Sequence, residues 1–187
     1  KLSDSGVRIC SIDSGDMHNA IPREAFAKIC SAERSKMEIE SILKESYEIF
    51  NSEYSTLEKM LDIELKDLEN SEEILTPESE VNIIKLLNII PDGVLKMSTE
   101  VPGLVETSNN IASIKYERGN CFQIHCSTRS SIMASLEDTR RNIKEICESF
   151  GAICKHDEAY PGWTPNLNSK ILEDAKLVYK EMYGEYP

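Results

Sequence analysis

The chain carries little equipment for chemistry. Its 187 residues include three histidines, His18, His125 and His156, none of them in a His-x-Asp or His-Glu-x-x-His arrangement. A hydrolytic metal needs about three or four ligands around an open position, so no metal centre is expected from these residues. There is no Gly-x-Ser-x-Gly elbow, no Cys/His arrangement that reads as an activated nucleophile and no Gly-x-Gly-x-x-Gly phosphate loop. The six cysteines contain no Cys-x-x-Cys pair, which argues against a zinc knuckle or a thioredoxin-type motif. No apolar run reaches the roughly 18 residues of a membrane span.

Positive charge is also scarce. There are 21 Lys and Arg against 33 Asp and Glu, a net charge of −12. Residues 33–80 hold 15 acidic and 5 basic side chains, or −10, leaving −2 for the remainder. Nucleic acid and anionic membranes both require basic patches, so neither is expected as a partner. The acidic stretch reads as a solvated, repulsive surface, with a metal-ion or cationic-partner surface as the alternative. The first residues lack both the apolar stretch of a signal peptide and a starting Met, so the chain is expected to be a piece of something longer. With no Asn-x-Ser/Thr site either, the cysteines read as reduced core thiols of a cytoplasmic protein.

What is present is a globular composition, 40% hydrophobic and 29% charged, enough for one domain and a fraction. Alternation predicts strands at residues 7–12 and, after Pro22, at 23–30. Helical spacing of Ile39, Ile42, Leu43, Tyr47, Phe50 and Tyr54 predicts a helix from about 35 to 57. Leu61, Ile63 and Leu65 alternate with charges and predict a half-buried strand, followed by a loop at 70–73. Thr76-Pro77-Glu78 is a helix start, with Thr as N-cap, Pro in the first turn and acids at the positive end. That helix is expected to stop before Pro91, with 94–105 irregular. Residues 107–116 and 121–130 predict a hairpin; Leu136 to Phe150 a helix closed by Gly151; 152–156 a last strand; and Ser169 onward a final helix. The sum is an α+β fold, an antiparallel sheet with helices packed on one face.

Two residues stand out as ligand-holding groups. Along 121–130, alternation puts Phe122, Ile124 and Cys126 toward the core and Gln123, His125, Ser127 and Arg129 on the other face. Arg129 at the strand end can grip a carboxylate with two charge-assisted hydrogen bonds; its plainer reading is a surface ion pair. Asn19 can donate to and accept from a small ligand; its plainer reading is a turn cap before Ile21-Pro22. Spacing leaves both alternatives open.

Five stretches carry a resemblance: Asn19-Ala-Ile-Pro-Arg-Glu-Ala-Phe26; Leu86-Leu-Asn88 with Pro91-Asp-Gly-Val94; Val105-Glu-Thr-Ser108; His125-Cys126 with Arg129-Ser130; and Ala159-Tyr-Pro-Gly-Trp163. Together they resemble the bacterial aminoacyl-histidine dipeptidases, carnosinase-like zinc metallopeptidases. In that family an inserted lid, a substrate-capping and dimerisation domain, interrupts a catalytic domain that binds two zinc ions. The resemblance implies that residues 1–160 are this lid, lacking its first strand and helix and exposing an unpaired edge, and that 161–187 return toward the catalytic domain. It implies that Asn19 and Arg129 hold the C-terminal end of a dipeptide. It also implies that the zinc ligands, the general base and the lid's Gly-Gly-His-Ser loop lie outside this chain. Ser127-Thr128 departs from a more apolar pair before the Arg. The expected partners are a dipeptide substrate, the catalytic domain of the same protein and a second copy of it, and the fragment alone is expected to be inactive. The alternative is a non-enzymatic regulatory or dimerisation module that binds an amino-acid effector through Arg129.

Overall fold

A computed structural model of the chain describes residues 6–31, 35–69, 73–117, 121–163 and 165–187. The architecture is the expected α+β one. Five antiparallel strands, β1 (Val7–Ser14), β2 (Ala25–Ser31), β3 (Gly93–Met97), β4 (Val105–Glu117) and β5 (Cys121–Ser130), form one sheet. Four helices accompany it: α1 (Lys36–Tyr54), α2 (Pro77–Ile89), α3 (Met133–Ser149) and α4 (Lys170–Tyr183).

The long strand β4 organises the sheet. One edge pairs with β5 along almost its full length, from Thr107↔Ser130 to Glu117↔Cys121. Its other edge is shared. β3 pairs with the first residues, Gly93↔Asn109 to Met97↔Val105, and β1 joins further on at Ser14↔Ile114. Between Asn109 and Ile114 that edge forms a notch. β2 pairs only with β1, so it is the outer strand, and Ala25–Lys28 are exposed.

Local chemistry sets the helix ends. Ser35 and Glu38 form a reciprocal capping box at the start of α1. Thr76 caps α2, its hydroxyl accepting from the Ser79 N–H at 3.2 Å, and Pro77 occupies the first turn where no N–H is needed. β1 holds the entry to α2: the Leu75 N–H donates to the Ile9 carbonyl at 3.0 Å, and Arg8 donates to Glu80 at 2.7 Å and to the Leu75 carbonyl at 2.8 Å. The core comprises Val7 and Cys10 of β1, Leu75, Ile83, Leu86 and Ile90 around α2, Ala112 of β4, and Leu136 and Ile143 of α3. Each large aliphatic member contributes about 1.5–3 kcal/mol of burial.

Three local expectations fail. Residues 61–68 form no strand; the alternating burial of Leu61, Ile63 and Leu65 is real, but Leu65 and Ile63 face a cleft against Leu43 and Tyr47 of α1, where Lys36 also pairs with Asp67 at 2.5 Å. Residues 152–156 are not a strand either. After α3 the Ala152 N–H returns to the Cys147 carbonyl at 2.9 Å and Arg140 binds the Asp157 carbonyl at 2.7 Å, so these backbone groups are spent on the helix. Conversely, the first part of 94–105, expected to be irregular, lies in strand β3. The expected loop at 70–73 and the hairpin turn at 117–120 lie mostly outside the described residues. Helix α4 forms after Ser169 but buries none of its side chains, so it does not pack on the sheet as the other helices were expected to. No disulfide joins the six cysteines; only Cys10 is fully buried, and Cys121, opposite Glu117 at the hairpin end, is exposed.

Candidate functional site

The five sequence stretches, scattered over some 140 residues of chain, gather around the first half of β4. The register states how. Thr107, Asn109 and Ile111 lie opposite Ser130, Thr128 and Cys126, and Ser108 and Asn110 lie opposite Arg129 and Ser127. Alternation therefore puts Ser108, Asn110, Ser127 and Arg129 together on one face. A bulge follows at Ala112, so that beyond it Ser113 and Lys115 join the face of His125 and Gln123. On this face Gln123, His125 and Arg129 are more exposed than their neighbours, as alternation predicts, while Ser127 is half-buried like Cys126 and Thr128.

The notch in the other edge of β4 is closed by two turns. One is Pro91-Asp92-Gly93: the buried Asn109 amide donates to the Pro91 carbonyl at 2.7 Å, and the Ile111 N–H donates to the Asp92 carboxylate at 2.9 Å. Thr128 of β5 donates to the same Asn109 at 2.7 Å, so this one side chain ties turn, central strand and outer strand together. The other turn carries Asn19. Its anchor is Asn110, which donates to the Ala20 carbonyl at 3.1 Å. Lys115 secures the end of β1, donating to Asp13 at 2.8 Å and Asp16 at 3.0 Å, which raises the Lys115 pKa. A hollow of ≈ 350 Å³ lies where the Asn19 turn meets the notch, walled by Ile21, Pro22, Leu87, Ile111 and Ile114, with Asp92 and Asn110 as polar groups.

The third turn arrives from the C-terminal side. Gly162 sits against the end of β5; a Cβ there would stand 2.9 Å from both the Ser130 and Ser131 carbonyl oxygens. Its N–H points to the Met133 sulfur at 3.1 Å. Glycine is thus required by close backbone approach, and the contact brings Tyr160 and Trp163, both about 80% exposed, beside the residue that follows Arg129.

Arg129 itself is exposed and makes no hydrogen bond or ion pair among the described residues. The Asn19 side chain is equally free among them. The two groups are thus mounted on facing sides of the same β4 segment, Arg129 across from Ser108 and the Asn19 turn on Asn110. Below Arg129, Glu106 at the start of β4 accepts from Lys96 at 2.9 Å and from Ser135 at 3.1 Å; the Lys96 hydrogen bond first, then those from Ser135 and Thr107, hold its carboxyl below the usual range. Among the described residues no three His, Cys, Asp or Glu side chains come together as a metal ion would require.

Asn109, Asn110 and Asp92 were not singled out by sequence reasoning. The available signal was the pair Asn109-Asn110 inside a strand. Asn is depleted there, and a buried amide must find partners for all its polar atoms.

The chain is 32% identical over 181 residues to the cytosol non-specific dipeptidase of Escherichia coli (strain K12), which spans 97% of this chain and 37% of the relative. It superposes on the crystal structure of aminoacylhistidine dipeptidase from Vibrio alginolyticus with a TM-score of 0.89 and 27% identity, over 100% of this chain and 38% of that one. No family model matches. The resemblance read from the five stretches is thereby borne out in sequence and in fold. The chain spans little more than a third of the length of the dipeptidases it matches.

Proposed function

We propose that this chain is the substrate-capping lid of a cytoplasmic dipeptidase that hydrolyses Xaa-His and similar unblocked dipeptides. The observation that carries the reading is the convergence of the Asn19 turn, Arg129, which has no partner among the described residues, and the Tyr160–Trp163 turn on one short stretch of β4 and β5. A guanidinium with no partner among the described residues, held at the end of a strand, can take a carboxylate bidentately. The Asn19 amide supplies both a donor and an acceptor for the adjoining carbonyl or carboxylate oxygen.

On this reading residues 1–160 hold and enclose the dipeptide's C-terminal end, and 161–187 lead toward the catalytic domain. The exposed Ile171, Leu177 and Met182 of α4 support that assignment, since they await a surface to cover them. Two zinc ions and a carboxylate base, which polarise the peptide bond and activate water in such enzymes, belong to the portion of the parent beyond this chain. Closure of the lid orients the substrate and excludes bulk water. The chain by itself hydrolyses nothing, and the open edge of β2 is a route to pairing with a second copy.

The test is made in the full-length parent. Arg129→Ala is expected to lower kcat/KM on a dipeptide with a free C-terminal carboxylate by roughly 10- to 150-fold, the equivalent of about 1.5–3 kcal/mol for a hydrogen bond to a charged group. Amidating that carboxylate is expected to bring mutant and wild type nearly level. Equal impairment on both substrates would show that Arg129 is not a carboxylate clamp.

A further inference from the structure

A cluster of thiols lies away from the substrate-holding residues. Helix α3 ends in a tight return: the Phe150 and Ala152 N–H groups both reach the Cys147 carbonyl, at 3.1 and 2.9 Å, across Gly151 at φ +72°. The chain then doubles back along the helix: Ala152 sits at the Cys147 carbonyl and the Asp157 carbonyl at Arg140, on the helix face of Cys147, so that Cys154 is carried back past Cys147. On its other side Cys154 has His156, with its sulfur 3.4 Å from Nε2. Cys126 of β5 faces the same pair. Both Cys147 and Cys154 are half-buried and both are free.

We propose that Cys147 and Cys154 are a reversible redox pair, closed to an intrachain disulfide by hydrogen peroxide or by a small disulfide such as oxidised glutathione. The two sulfurs have unequal roles. Burial, together with the neighbouring thiols, pushes Cys147 up to about 11, so it stays a protonated thiol; Cys154, with His156 against its sulfur, is the attacking sulfur. The Cys154 sulfur attacks one peroxide oxygen, the O–O bond breaks, and the departing oxygen leaves as water with the Cys154 proton, giving a sulfenic acid. The Cys147 sulfur then displaces the sulfenic hydroxyl, which leaves as water with the Cys147 proton. Two thiols lose two electrons and two protons, and one peroxide becomes two waters. With a small disulfide, Cys154 forms the mixed disulfide and releases one thiol, and Cys147 releases the second.

Trypsin cutting after Lys144 and Lys155 places both sulfurs, and no other cysteine, in the peptide Glu145–Lys155. The full chain is treated with sub-millimolar hydrogen peroxide, alkylated and digested without reduction. The expected result is that this peptide loses two hydrogens and resists alkylation, and regains both on treatment with dithiothreitol. Cys147→Ser is expected to leave a dimedone-trappable sulfenic acid at Cys154, and Cys154→Ser to leave Cys147 unmodified. The proposal is overturned if the wild-type peptide is alkylated at both sulfurs under conditions that oxidise the exposed Cys121. It is also overturned if Cys154 is recovered linked to Cys126 or to a second chain.

Discussion

Gly15 ends β1 and begins the turn that carries Asn19, and its fit can be tested quantitatively. Its φ is +63°, and a Cβ built there would lie 2.1 Å from the Ala112 carbonyl oxygen, the oxygen of the bulged residue in β4. Gly15→Ala therefore incurs two costs. The left-handed backbone costs about 1–2 kcal/mol for a residue with a Cβ, and forcing a methyl into packed backbone costs about 1–3 kcal/mol more. Gly151 separates the two, because it has a similar φ of +72° with nothing within 4 Å of its Cβ position. Gly151→Ala should lose only the conformational part, about 1–2 kcal/mol, and Gly15→Ala about 2–5 kcal/mol in sum. The gain from a stiffer unfolded chain is the same for both and cancels in the comparison. Urea unfolding of the two variants gives the difference directly, and thermal unfolding should show drops of roughly 4–20 °C and 2–8 °C for a chain of this size. If Gly15→Ala is no less stable than Gly151→Ala, the close approach of β1 to the bulge is wrong, and with it the account of how the Asn19 turn is positioned.

Two further outcomes are expected. Glu106 has a folded-state pKa depressed chiefly by Lys96, so its contribution to stability is present above the unfolded carboxyl value and is lost as pH falls through the folded one. Unfolding measured between pH 7 and pH 3 should show Lys96→Met flattening that acid-side decline, and an unchanged slope would remove Glu106 from the account. Thr76→Ala deletes the N-cap of α2 and should cost about 1 kcal/mol in urea unfolding, with Thr76→Ser close to wild type.

Much of the fold was legible because period and punctuation agreed. Thr76-Pro77 announced α2, and the alternation around Phe122–Ser130 fixed which face Arg129 occupies. The failures have a common cause. The apolar alternation of Leu61, Ile63 and Leu65 says that one side is buried but not against what, and a helix served where a sheet partner was expected. Val94–Met97 lacks alternation in burial, being exposed throughout, and becomes a strand only because β4 offers an edge to it. For the site, each stretch could be marked as unusual, but their meeting depends on long-range bonds, Asn110 to Ala20 and Gly162 against Ser130, that no local pattern encodes.

Ala112 is one residue more than a regular ladder requires, and it decides which side chains look toward a ligand. Before it the even-numbered positions Ser108 and Asn110 share the surface of Arg129; after it the odd-numbered Ser113 and Lys115 do. Excising it would make Ile111↔Cys126 and Ser113↔His125 consecutive pairs of a regular ladder with every side chain on its present face, whereas pairing it opposite His125 would turn Ile114 and Tyr116 out to water and Lys115 in toward the helices. The bulge thus absorbs a one-residue excess that would otherwise exchange the inner and outer halves of the hairpin's sequence.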